Sequence, residues 1–290
     1  MNPAPFEYHR AGSVQEAIGL LQQFPEDAKL LAGGHSLLPV MKLRLAEPAH
    51  LIDIGGVDDL RGVQEGSDGV RIGALTTHRE IERDETLCQR CPLLPEIASR
   101  VGDRQTRARG TIGGALAHAD PAADYPAGVV ALDAELIVQG PDGERTIAAT
   151  EFFLGFLTTA LAPDEVLTAV RVAALPARTG VNYQKLANQA SGYAVVGVAA
   201  VVTLAADGSC ESARIGVTGA GASAVRATAV EEALRNRSLD EATVAAACEA
   251  ADEGIDLLDD LHASADYRRR GVRGLARRAV LAAAARAAEA

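Results

Sequence analysis

Two short segments carry glycine pairs edged by hydroxyl side chains: Ala32-Gly33-Gly34-His35-Ser36 and Thr111-Ile112-Gly113-Gly114-Ala115. Glycine lets backbone N–H groups approach a phosphate closely, and a strand-to-loop turn can present several such donors together. The first segment follows the apolar run Leu30-Leu31-Ala32 and ends on the Ser36 hydroxyl, whereas the second puts its hydroxyl first. One such pair is what an ordinary turn looks like. Two of them in one chain also suit the pyrophosphate of a dinucleotide. Better-known phosphate motifs do not account for the chain, which has no G-x-x-x-x-G-K-[ST] loop. Gly219-Ala220-Gly221-Ala222-Ser223-Ala224 imitates a Rossmann turn. Its preceding strand reads as part of a hairpin, and no acidic residue closes a second parallel strand downstream.

Other reactive side chains are sparse. Four cysteines (Cys88, Cys91, Cys210, Cys248) are too few for a disulfide scaffold in 290 residues. Cys88 and Cys91 form one isolated C-x-x-C pair, short of the four ligands a zinc or iron–sulfur site takes. His35 and His118 have no partner at ligand spacing and read as loop hydrogen-bonders. With a formal net charge of −11, the chain is a poor electrostatic match for nucleic acid or an anionic membrane. The N-terminus shows no signal-peptide pattern and the apolar stretch near 193–206 is too short to span a bilayer, so a cytoplasmic protein is expected.

The elements that must hold the two glycine segments follow from periodicity. Ser13-Val14-Gln15-Glu16 reads as a capping box opening a helix through Gln22, and Thr77-His78-Arg79-Glu80 reads as another. Strands are expected at Leu30–Ala32, His50–Ile54 and Val70–Leu75, with helices over Pro95–Val101 and Pro126–Leu132. Gly140-Pro141-Asp142-Gly143 turns a hairpin between Glu135–Gln139 and Arg145–Ala149. Beyond a weak boundary at 174–180, three antiparallel strands follow: Val181–Leu186, Ala194–Leu204 and Ser212–Val217. A helix capped by Ser238-Leu239-Asp240-Glu241 runs through Ala251, and a last one covers Ala265–Ala290, weakened at Gly271 and Gly274. Helices and hairpins mix without regular βαβ alternation, which makes the class α+β.

The motifs, taken in order, resemble a family. Ala32–Pro39, Lys42-Leu43-Arg44, Ile72–Thr77, Arg107–Gly114, Asp120–Asp124, Pro163–Leu167, Tyr183-Gln184-Lys185 and Ala265–Arg268 together are similar to the flavin-binding medium subunit of molybdenum hydroxylases, the carbon monoxide dehydrogenase type above all. The resemblance spans nearly the whole chain. It implies a two-part FAD-binding domain of the PCMH/vanillyl-alcohol-oxidase type over 1–176 (parts 1–56 and 57–176). A C-terminal α+β domain with a three-stranded antiparallel sheet and helices would occupy 177–290.

The resemblance also assigns residues. Ala32, Gly33, Gly34, His35, Ser36 and Leu37 would enclose the FAD pyrophosphate together with Thr111, Ile112, Gly113, Gly114 and Ala115, through backbone amides. Asp124 falls where an acidic group meets sugar or ribityl hydroxyls, although an Asp before Pro126 is also an ordinary loop residue. Leu161 corresponds to an apolar cofactor contact or, equally, to core packing. Lys185 matches a lysine near the isoalloxazine that would favour reduced, anionic flavin; a strand-end lysine is otherwise solvated. Tyr193 corresponds to a ring over the flavin face, with a core tyrosine as the alternative.

No catalytic or metal residue is expected on this chain. In the family, molybdopterin and iron–sulfur clusters sit on a large and a small partner subunit, in a dimer of heterotrimers. Electrons would cross those clusters to this chain's FAD and leave to an external acceptor. Ala122-Ala123 and Ala187-Asn188-Gln189 depart from the carbon monoxide dehydrogenase pattern, which leaves the substrate of the complex open. The competing expectation is a free-standing FAD-dependent oxidase with its own substrate site, for which no acid–base constellation is apparent.

Overall fold

The structure, a computed structural model, describes residues 2–290. The first lobe is a small parallel sheet with two crossover helices. Its elements are β1 (Glu7–Arg10), α1 (Val14–Gln23), β2 (Ala28–Leu31), α2 (Leu37–Lys42) and β3 (His50–Asp53). The strand order is β1-β3-β2, and β3 pairs in parallel with both neighbours. This lobe therefore does contain βαβ alternation, against the expectation from sequence. The signal is weak because β1 is largely exposed and α2 is a six-residue helix with Pro39 in its first turn. Helix α1 buries Ala17, Ile18 and Leu21 on the sheet. Its cap is half of the expected box: Ser13 Oγ accepts from the Glu16 N–H, but the Glu16 carboxylate accepts from Gly12 N–H instead of closing on Ser13.

The second lobe is built on an antiparallel sheet of β4 (Val63–Gly66), β5 (Gly69–Gly73), β6 (Glu135–Gly140), β7 (Gly143–Ala148) and β10 (Val166–Ala173), in the order β4-β5-β10-β6-β7. Between β5 and β6 lie six helices: α3 (His78–Arg83), α4 (Glu85–Arg90), α5 (Leu93–Arg100), α6 (Arg104–Arg109), α7 (Ile112–His118) and α8 (Tyr125–Ala131). Thr77 and Glu80 form the full capping box of α3. The short α9 (Ala149–Phe152) and the two-stranded β8 (Phe153–Gly155) and β9 (Thr158–Thr159) close the lobe before β10.

The C-terminal part has four antiparallel strands where three were expected: β11 (Thr179–Ala187), β12 (Ala194–Leu204), β13 (Cys210–Thr218) and β14 (Val225–Arg226). The fourth is only two residues long, too short to leave an alternating signature. It follows Gly219–Ala224, so the Rossmann-like run leads into a strand where a Rossmann turn would open a helix. Helices α10 (Thr228–Leu234), α11 (Glu241–Cys248) and α12 (Ala265–Glu289) complete it. Asp240, not Ser238, caps α11, and that helix ends at Cys248. Helix α12 runs unbroken through Gly271 and Gly274 because its stripe of Val272, Ala276, Ala279, Val280, Ala283 and Ala287 is buried.

Strand β12 is buried along its whole length. Its side chains alternate between two cores: Ala199 and Val201 join the core of the second lobe, while Val196, Val198, Ala200 and Val202 face the helices of the C-terminal part. A strand covered on both faces reads as a continuous apolar run rather than an alternating one. No helix is long and apolar enough to cross a membrane among the described residues.

Candidate functional site

The first glycine segment leaves the carboxyl end of β2 and enters α2. Gly33 sits against the backbone of the second lobe, where a Cβ would lie 2.2 Å from the Arg109 carbonyl oxygen. Gly34 holds φ +76°, the left-handed region that glycine adopts without strain. The bend leaves the N–H groups of Gly33, Gly34, His35, Ser36 and Leu37 without a main-chain acceptor among the described residues. Five consecutive amides of this kind are donors open to an anion.

The second glycine segment is not a loop. Thr111 is the N-cap of α7, and Ile112–Ala115 form its first turn. Its amides are already committed: Ile112 N–H donates to Thr76 O, Gly113 N–H to Ala74 O, Gly114 N–H to Thr111 Oγ1, and Ala115 N–H to Thr111 O. A Cβ on Gly113 would lie 2.5 Å from the Ala74 Cβ, so this glycine seats α7 on the end of β5. Thr111 followed by Ile112 and Leu116 at i,i+4 was the available helix signal, and the glycine pair obscured it.

Both segments line one cavity of about 690 Å³, within the usual range for small-molecule sites. Of the residues singled out from sequence, Ala32 to Leu37, Thr111, Gly113, Gly114, Ala115, Asp124 and Tyr193 line it. Ile112 is fully buried in the core of the second lobe, and Leu161 packs against the same core; neither lines the cavity. Tyr193 is 42% exposed, which rules out the core alternative. His118 also lines the cavity, and neither it nor His35 belongs to a group of three metal-ligating side chains among the described residues.

Asp124 is 5% exposed and is held by two side chains from β11. Tyr183 donates its hydroxyl to the carboxylate at 2.6 Å, and Lys185 Nζ lies 2.8 Å away. Lys185 also donates to the Arg100 carbonyl at 2.9 Å. Its side chain is only 3% exposed, which excludes the solvated alternative; Lys185 is one half of a buried ion pair and is not itself among the residues lining the cavity. Burial pushes the Asp124 carboxyl above the usual carboxylate range, while the Lys185 charge and the two hydrogen bonds pull it back toward ionisation. Burial and the neighbouring Asp124 keep the Tyr183 phenol protonated, hence a donor. Tyr183 and Lys185 alternate on one strand face; that spacing could have drawn Tyr183 into the site from sequence.

His78 was likewise missed. It is the first residue of α3, 4% exposed, lines the cavity and lies 5.2 Å from the Tyr125 ring. Burial, His35 and Arg107 lower its pKa to about 4, so it is neutral at neutral pH. Elsewhere, Glu7, His9 and His50 converge on the first lobe's sheet, with Phe24 stacked on His50 at 3.7 Å.

A parallel-sheet lobe facing a helical antiparallel lobe across a cavity with an open amide array defines a dinucleotide-cofactor protein. Residues 4–175 match the FAD binding domain in molybdopterin dehydrogenase, and 181–283 match the CO dehydrogenase flavoprotein C-terminal domain. The chain belongs to this family of FAD-binding oxidoreductase subunits. It is 41% identical over 288 residues to the carbon monoxide dehydrogenase medium chain of Hydrogenophaga pseudoflava, covering 99% of this chain and 100% of that one. It is 38% identical over 287 residues to the 6-hydroxypseudooxynicotine dehydrogenase complex subunit alpha of Paenarthrobacter nicotinovorans, covering 99% and 97%. A solved carbon monoxide dehydrogenase structure from Hydrogenophaga pseudoflava superposes with a TM-score of 0.96 at 43% identity, over 99% of both chains.

Proposed function

We propose that this chain carries FAD as the electron-transfer subunit of a heterotrimeric molybdenum hydroxylase. The five free amides at the carboxyl end of β2 are the observation that carries the cofactor's placement. They suit the pyrophosphate, and their array exists only because Gly34 turns the chain left-handed. Thr111 and Gly114 form the facing wall without offering first-turn amides from α7. Asp124, fixed by Tyr183 and Lys185, keeps lone pairs available to a ribityl or sugar hydroxyl. Lys185 acts through Asp124, from outside the cavity lining, and Tyr193 stands at the mouth where a ring can cover a flavin face.

The flavin, when bound, supplies the redox chemistry, and this chain's residues bind it, orient it and hold one buried charge beside it. The partners are a small iron–sulfur subunit and a large molybdopterin subunit, assembled as a dimer of heterotrimers in the cytoplasm. Residues 1–176 make the cofactor domain, in parts 1–56 and 57–176, and residues 177–290 supply Lys185 and Tyr183 from behind. The test is the visible spectrum of the purified chain together with co-purification. Flavin absorbance, unbleached by substrate until both partner chains are present, is expected. A colourless chain that takes up no FAD refutes the reading, and bleaching by substrate without partners replaces it with a free-standing oxidase.

A further inference from the structure

A second cavity, about 800 Å³, opens at the carboxyl edge of the parallel sheet and adjoins the first along Ala32, Gly33, Leu75 and Thr111. Five arginines line it: Arg10 from the end of β1, Arg61, Arg79 and Arg83 one turn apart on α3, and Arg109 from α6. None of the five makes a salt bridge among the described residues, although twelve other arginines do. The two carboxylates in the lining are already committed. Asp53 accepts from the Tyr8 hydroxyl at 2.6 Å and from Gly55 N–H at 2.7 Å. Glu80 accepts from both the N–H and the hydroxyl of Thr77 at 2.7 Å. With five arginines against two carboxylates, the lining keeps a positive excess in a chain of net charge −11.

Open parallel sheets bind ligands outside the carboxyl ends of their strands, and guanidinium groups match phosphate oxygens with paired donors. The cleft is concave, in the size range of small-molecule sites, and not a flat protein-docking face. Tyr8, 55% exposed at its rim and anchored through its hydroxyl by Asp53, offers a ring for stacking. We propose that this arginine cleft is a second anion site that takes a pyrophosphate-bearing small molecule of the nucleoside diphosphate type, beside the FAD cavity and sharing a wall with it. It does not depend on the cofactor reading, since the five arginines lie outside the amide array, although Gly33 lines both cavities.

The probes are inorganic pyrophosphate and ADP, titrated calorimetrically into the FAD-saturated chain at low and high salt. One site is expected for each, with affinity falling as salt rises, because exposed charge pairs are screened. The double substitution Arg79→Gln/Arg83→Gln should weaken both probes by about tenfold or more while flavin absorbance and melting temperature stay as in the parent. Absence of binding at millimolar probe overturns the proposal, as does unchanged affinity in the variant. Loss of flavin in step with the arginines would instead assign the cleft to the FAD pyrophosphate, and the second site would be abandoned. A chain that holds no flavin yet binds pyrophosphate through these arginines would refute the cofactor reading alone.

Discussion

The two walls of the main cavity carry nearly the same sequence signature and do opposite things. The first, Gly33–Leu37, leaves five amides open and holds its shape through one left-handed glycine and one backbone contact. The second, Thr111–Ala115 with Asp124 behind it, has its first-turn amides satisfied and its buried charge paired. Open donors bind, whereas satisfied ones hold position. A glycine pair therefore marks a backbone that comes close to something: in both pairs one glycine closes on the chain itself, Gly33 on Arg109 and Gly113 on Ala74, and only the first pair leaves its amides open.

The strongest challenge to this contrast is to break the closed wall's ion pair. Lys185→Met leaves Asp124 buried without its cation and should cost about 3–5 kcal/mol of stability in urea unfolding at neutral pH. Without Lys185 the Asp124 carboxyl rises further, so the deficit should shrink as pH falls and the carboxyl protonates. Adding Asp124→Asn should recover much of the loss. A Lys185→Met chain as stable as the parent at pH 7 would remove the framework role.

Next in size is the titration of His78 on the same wall. Its folded pKa of about 4 lies below its ordinary 6.5, so the unfolded chain takes up the proton first as pH falls. Stability from this group is complete above pH 6.5 and drains away toward pH 4, by roughly 3 kcal/mol. His78→Gln should flatten that window in unfolding curves; an unchanged slope would contradict a neutral buried ring.

The glycines sharpen the contrast directly. Gly33→Ala drives a Cβ to 2.2 Å from the Arg109 oxygen and displaces the amide array, so FAD affinity should fall about tenfold or more. Gly113→Ala meets the Ala74 Cβ at 2.5 Å and should lower stability by about 1–3 kcal/mol. FAD affinity of the folded fraction should then stay within about threefold. Flavin titration and thermal melting read both, and the reverse pattern would exchange the walls' roles. The smallest effect is expected at Gly34, where alanine at φ +76° costs about 1–2 kcal/mol, with a measurable weakening of FAD.

Much of this was legible before any coordinates. The capping box at Thr77–Glu80, the Gly140–Gly143 hairpin, the long β11–β12–β13 meander and the C-terminal helix follow from local pattern. Helices α2 and α7 were not legible, because proline and glycine lower intrinsic helix propensity and only tertiary seating restores it. The parallel pairing of β1 with β3 joins residues more than forty apart, and no local pattern encodes it. Tyr183 and Lys185 stood side by side in a recognised motif, yet their meeting with Asp124 crosses about sixty residues.

The sequence by itself determined that two glycine pairs, each edged by a hydroxyl, sit in a chain with FAD-binding relatives and no cluster ligands of its own. Only the tertiary structure decided which pair keeps its amides free. The reason is that a donor's availability depends on whether another part of the chain already supplies an acceptor. In the second pair Gly113 N–H finds the Ala74 carbonyl and Gly114 N–H the Thr111 hydroxyl, and nothing on the main chain supplies an acceptor to the first.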